Sequence, residues 1–198
     1  MYLKKEELNS DLDLEKIKKI LGGERYQHTL SVLRAALKIA KKQNINLKKV
    51  ETAALLHDIA KSKNNTELNN IVKNSKWEPD QLELAITPVL HAPAGAVMAE
   101  NIFGITDPEI LEAIHFHTLG HPQMGKTARV IYAADFISED REFDGLDEIR
   151  IEIERDFESG LYLITSHIIK YQLEQDNMIH PYSNSFRNKL LREVINKC

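Results

Sequence analysis

The sequence predicts an all-α protein built as one helical domain. Apolar residues recur at three- and four-residue spacing along nearly the whole chain, and no long stretch alternates as a half-buried strand does. Internal repeats, low-complexity tracts and Pro/Ser-rich linkers are absent. At 198 residues and 42% hydrophobic content the chain can bury a real core.

The elements follow in order. Leu12, Leu14, Ile17, Ile20 and Leu21 form a first amphipathic helix, stopped by Gly22-Gly23. A second runs from Glu24 to Gln43, with Leu30, Leu33, Leu37 and Ala40 on one face. Asn46 caps a third, Leu47 to Ala60, whose Ala53–Leu56 run reads as buried all round. Thr66 to Lys73 and Pro79 to Ile86 are shorter helices, the latter with proline in its first turn. Thr87-Pro88 interrupts the chain before a helix from Ala92 to Phe103, ended by Gly104. Asp107-Pro108-Glu109 starts a helix reaching His117. After a Gly/Pro loop come Lys126 to Ile137, Asp147 to Phe157 and Leu161 to Gln175; a loop from Asn177 to Asn184 precedes a last helix to Asn196. Residues 1–23 read as an N-terminal helical segment and 24–198 as the main domain.

Composition narrows the function. A net charge of −4 with both signs interspersed leaves no electrostatic footprint for duplex nucleic acid. The single cysteine, Cys198, excludes disulfides and thiolate metal sites within one chain and suits a reducing cytoplasm. Neither an apolar leader nor a membrane-spanning run is present, so a cytoplasmic location without membrane attachment is expected.

The chemistry lies in polar residues at apolar positions. His57-Asp58 closes the small, apolar stretch TAALLHDIAK; Asp135 lies inside KTARVIYAADFIS; His28 sits early in an amphipathic helix; His91 precedes APAGA and His117 ends DPEILEAIHFHT. Each has a bland explanation, such as a buried cap or ion pair. One divalent cation would account for all of them together, since it turns each buried-charge penalty into an attraction. Imidazole and carboxylate ligands suit zinc, manganese or iron. His115, on another helix face, and His167 read as structural, and Trp77 reads as core.

The order His28, His57-Asp58, Asp135 resembles the H…HD…D metal signature of the HD-domain superfamily. The stretches ALLHDIAK, HAPAGA, AIHFHTLG, VIYAADFISEDR and HPYSNSFRN resemble the YqeK family of bacterial symmetrical diadenosine tetraphosphate hydrolases, from about residue 24 onward. The resemblance implies that His28, His57, Asp58 and Asp135 ligate one or two ions, iron first with manganese and zinc as alternatives. His91 and His117 would complete a second metal position or bind phosphate. It implies a substrate site formed by Arg25, Asp58, Ile59, Ala60, Lys61, His91, His117, Thr118, Asp135 and Arg141. The stretch Met178, Ile179, His180, Pro181, Tyr182 and Ser183 would contact the nucleoside. Glu139-Asp140 and His180-Pro181 depart from the family pattern.

The chemistry can also be read from the residues. A bound metal lowers the pKa of its water toward about 7 and polarises a phosphoryl oxygen. Lys61, one helical turn past His57, offers phosphate a point charge and Arg141 a two-pronged contact. Asp58, Lys61, His91 and His117 are the candidate catalytic groups, with His91 or His117 protonating the leaving phosphate. The resemblance implies symmetrical cleavage of diadenosine tetraphosphate to two ADP. The alternatives are an HD-type nucleotidase and a non-catalytic regulator that binds metal and nucleotide. Oligomeric state stays open, a homodimer included.

Overall fold

The structure is a computed structural model that describes residues 12–73 and 75–197; the first residues of the 1–23 segment, and Cys198, lie outside them. Among the described residues there are eleven α-helices, one 3-10 turn and no strand. They are α1 (Leu14–Leu21), α2 (Gly23–Lys42), α3 (Leu47–Leu56), α4 (Asn65–Val72), α5 (Gln81–Ala85), α6 (His91–Phe103), α7 (Pro108–Phe116), α8 (Lys126–Ile137), α9 (Leu146–Arg155), α10 (Phe157–Glu174) and α11 (Pro181–Ile195). The 3-10 turn, Thr87–Val89, leads into α6. None of the described helices is long and apolar enough to cross a membrane.

Local chemistry starts and stops most of these helices. Asn46 caps α3 through the amide of Lys49, and Asn64 with Glu67 forms a reciprocal capping box on α4. Asp107 caps α7, with Pro108 in the first turn. Gly104 ends α6 at φ 66°, a left-handed conformation that glycine adopts without strain.

α2, α3, α7 and α8 pack into a central bundle, with α6 on α7 and α4 on α6. α9, α10 and α11 form a second layer built onto α8. α1 lies on α2 and adds Ile17 and Leu21 to the common core. α3 is deeply enclosed: Val50 and Ala53–Leu56 are all fully buried. Two glycines set close approaches. A Cβ on Gly95 in α6 would meet Ile114 Cγ2 at 3.2 Å and the His57 carbonyl oxygen at 3.4 Å, so α6 can press against the chain at His57. A Cβ on Gly160 would lie 2.7 Å from Ile153 N, where only backbone movement could relieve the contact. Gly160→Ala should therefore lower stability by about 1–3 kcal/mol through overpacking, read as a lower urea midpoint; an unchanged midpoint would show that α9 and α10 can separate freely.

Several boundaries differ from the sequence expectation. α3 stops at Leu56, not Ala60: from His57 onward the chain continues in tight turns, with Ile59 N bonded to Leu56 O and Lys61 N to Asp58 O. Pro79 lies outside α5, which Asp80 caps by accepting from the amides of Leu82 and Glu83. The ninth helix ends at Arg155 because Asp156 turns extended and caps Ser159 N, so Phe157 opens α10. The 177–184 loop is shortened because His180 acts as the N-cap of α11, its imidazole accepting from Tyr182 N. Pro181, Tyr182 and Ser183 are consequently helical.

Candidate metal centre and active site

Helix ends bring the anomalous residues together. His57 and His117 are the C-cap residues of α3 and α7, His91 is the first residue of α6, and Asp135 lies in the last turn of α8. His28 reaches in from the second turn of α2. His57, Asp58, His91 and His117 are each no more than 3% exposed, and His28 is 7% exposed.

Each ring's aim is fixed by its Nδ1. That atom lies 2.7 Å from Ala54 O in His57, 2.8 Å from Pro88 O in His91 and 2.7 Å from Ile114 O in His117. A carbonyl only accepts, so each Nδ1 carries the proton and each Nε2 turns inward with its lone pair. In His28, Nδ1 donates to Asp140 Oδ2 over 2.7 Å.

The inward atoms converge. Nε2 of His91 and of His117 are 3.1 Å apart and lie 3.1 and 3.6 Å from Asp58 Oδ1. Asp58 Oδ2 is 3.8 Å from His57 Nε2 and 3.9 Å from His28 Nε2, and Asp135 Oδ1 is 3.1 Å from His28 Nε2. Three overlapping triplets have ligand atoms within 4.8 Å of one another: His28, His57, Asp58; His57, His117, Asp135; and Asp58, His91, His117.

Two of these atoms, His28 Nε2 and His57 Nε2, are buried without a hydrogen-bond partner; the contact from His28 to Asp135 is close but lacks hydrogen-bonding geometry. Orphaned buried acceptors facing carboxylates carry a large desolvation penalty unless a cation sits among them. The donor set is nitrogen and carboxylate oxygen, as zinc, manganese or iron prefers, so the residues fit a divalent metal.

Electrostatics agree. Burial pushes the His57 imidazole down, and burial pushes His91 down to about 4, against the pull of Asp58. Both rings are thus neutral ligands at neutral pH. Burial raises Asp58, but His57, His117 and His91 outweigh it and hold the carboxyl well below the usual range. Burial raises Asp135 too, and His28, His57 and Arg141 reverse it.

Cations ring the centre. Arg25 Nη1 donates to Asp58 Oδ2 over 3.1 Å, and Arg141 Nη2 to Asp135 Oδ1 over 2.9 Å. Lys61 Nζ lies 3.2 Å from His91. Arg25, His28, Asp140 and Arg141 line an open cleft of about 850 Å³ on one side. A second cleft of about 310 Å³ is lined by Thr118, next to His117, and by Leu119, Met178, Ile179, His180 and Ser183, together with Ile86, Pro88 and Ile168.

Of the other residues the sequence singled out, Ile59 and Ala60 point their side chains into the core, leaving only backbone for a ligand. Tyr182 packs on His121 and His180. His115 stacks on Trp77, and His167 lies between Phe136 and Phe143, both outside the cluster. A separate group, Asp80, Glu83 and His180, is committed to capping: His180 Nε2 donates to Asp80 Oδ2 over 3.0 Å. Sequence reasoning missed Asp140 as the partner of His28; its only signal was its place in an acidic pair before Arg141.

Comparison with known proteins agrees with this geometry. The HD domain profile matches residues 25–140. The symmetrical bis(5'-nucleosyl)-tetraphosphatase of Halalkalibacterium halodurans is 32% identical over 186 residues, 94% of this chain and 99% of that protein. The Bacillus subtilis protein of the same name is 33% identical over 88% of this chain and 93% of its own length. The crystal structure of a predicted HD superfamily hydrolase involved in NAD metabolism, from Clostridium acetobutylicum, matches with a TM-score of 0.87 and 31% identity, covering 93% of this chain and 100% of that one. Matched in profile, in sequence and in fold, the chain belongs to the HD domain family and, within it, to the family of symmetrical bis(5'-nucleosyl)-tetraphosphatases.

Proposed function

We propose that the protein hydrolyses diadenosine tetraphosphate symmetrically to two ADP, in the cytoplasm, with residues 24–198 as the catalytic domain. The observation that carries this reading is the buried His/Asp centre with unsatisfied Nε2 atoms, flanked by an arginine-lined cleft and by a separate, narrower one. The names of the relatives support the substrate class.

In this reading His28, His57, Asp58 and Asp135 hold the ion, iron first and manganese or zinc as alternatives, and His91 and His117 face a second position or the phosphate. A divalent ion there supplies a water of lowered pKa and a Lewis acid for phosphoryl oxygen. Arg25 and Arg141, each paired with a ligand carboxylate, are placed to turn to phosphate once that carboxylate's charge is engaged. Lys61 neutralises charge developing on the phosphoryl group. The cleft between Thr118 and the 178–183 stretch takes one nucleoside, which sets the β-phosphorus of that half against the attacking water. The bond from that phosphorus to the bridging oxygen breaks and the other half leaves as ADP, the charge on its oxygen met by Lys61. The expected proton transfer from His91 or His117 is not kept, because the Nδ1–H of each is held by a backbone carbonyl and the inward Nε2 carries a lone pair.

Hydrolysis in 18O-labelled water, read by mass spectrometry, tests this. The label is expected on a β-phosphate of ADP, and guanine-containing analogues should also be cleaved because the leaving half is weakly gripped. ATP and AMP as primary products would refute the positioning. Turnover of nucleoside monophosphates alone would move the protein to the nucleotidases, and binding without turnover would make it a regulator.

A further inference from the structure

Among the described residues, the four histidines of the centre are aimed in two different ways. His57, His91 and His117 stand at helix ends and each donates Nδ1–H to the carbonyl three residues earlier. His28 stands inside α2, where the backbone carbonyls serve the helix, so its Nδ1 needs an acceptor from elsewhere. Asp140 supplies it at 2.7 Å, from 112 positions away in sequence.

Asp140 belongs to a short loop after α8 that is splinted from behind. Arg150 of α9 donates from Nε to Ile137 O over 3.1 Å, and from Nη2 to Ser138 O over 2.9 Å and to Arg141 O over 3.2 Å. These carbonyls include the end of α8, which has no helical partner of its own. One guanidinium thus fixes the backbone on both sides of Asp140. The same loop presents Arg141 to Asp135.

We propose that Asp140 is a positioning residue of the metal centre and that Arg150 is its splint. The carboxylate fixes the His28 tautomer, turns Nε2 toward Asp58 and Asp135, and strengthens the ring as a ligand by adding a negative charge behind it. Neutral carbonyls behind the other three rings give aim without that charge. The Asp140–His28–metal arrangement makes His28 the strongest imidazole donor of the set. The inference rests on the assignment of His28 as a ligand made above.

The test uses the full-length chain, stripped with chelator and titrated with Mn2+ against a competing indicator; the visible spectrum of the Co2+-loaded protein reports ligand geometry. Asp140→Ala is expected to weaken Mn2+ binding by about 10–100-fold and to change the Co2+ spectrum. Asp140→Asn, which keeps an acceptor without the charge, should preserve the spectrum and fall between in affinity. Arg150→Ala should weaken binding in the same direction, and Glu139→Ala, one position from Asp140, should match wild type in both readouts. Wild-type affinity and spectrum in Asp140→Ala, alongside a His28→Ala protein that has lost affinity, would overturn the proposal and leave the metal reading standing. Wild-type affinity in His28→Ala would instead remove His28 from the ligand set.

Discussion

Asp58→Ala is expected to lose bound metal and hydrolysis together. Asp58 is 3% exposed and faces the Nε2 atoms of His28, His57, His91 and His117 at 3.9, 3.8, 3.1 and 3.6 Å. It contributes the negative charge shared by two of the overlapping ligand triplets. Without it, converging imidazoles remain, with Asp135 as the remaining acidic ligand of the set. The loss should exceed the roughly 100-fold upper range seen when an outer-shell partner of a metal ligand is removed. Elemental analysis and a turnover assay at saturating metal check it. The fold should survive, because Arg25, the ion-pair partner, has a side chain 38% exposed and can turn to water. Full metal content with normal turnover in Asp58→Ala would dissolve the metal-centre reading.

Lys61→Ala is expected to lower kcat by about 10²–10³, the usual effect of removing one group that stabilises developing charge, with metal content unchanged. Lys61 is exposed at the rim of the centre with Nζ 3.2 Å from His91, and desolvation of that end lowers its pKa against the pull of Asp58 and Asp135. The sign follows directly. The working form is the ammonium, and a depressed pKa means that the proton leaves earlier as pH rises. The wild-type rate should therefore fall on the alkaline side below the pH where an ordinary lysine titrates, and Lys61→Ala should lack that limb. A pH–rate profile with the same alkaline limb in both proteins would assign the titration to another group.

How much of this was legible beforehand depends on what each residue's neighbours are. His57-Asp58, Asp135, His91 and His117 betray themselves as ionisable residues in runs of alanine, leucine and isoleucine, and a sequence displays such misfits directly. The helices from Gly23 to Lys42 and from Lys126 to Ile137 show their periods and stops equally well. His180 as an N-cap was not legible, because histidine caps only when its tautomer leaves Nδ1 free to accept. The break at Asp156 was hidden because apolar residues continue through it; the extended backbone at φ −142° ends one helix and begins the next. The pairing of Asp140 with His28 depends on tertiary contact across the chain, which local patterning does not encode.

The gathering of helix ends at one point also governs how the molecule comes apart. An ion held there fastens α2, α3 and α8 like a rivet through separate beams, so that none of them can unwind its inner end without releasing the rivet. The layer of α9, α10 and α11 carries none of those triplets; it is tied to the rest by α8, by Ser183 to Leu119 O, by Lys189 to Pro122 O, by His180 to Asp80 and by Lys38 and Lys42 of α2 to Glu154. An ion at that point would therefore brace the helices it joins directly, and would reach the α9–α11 layer only through α8 and the Arg150 contacts to the loop that follows it.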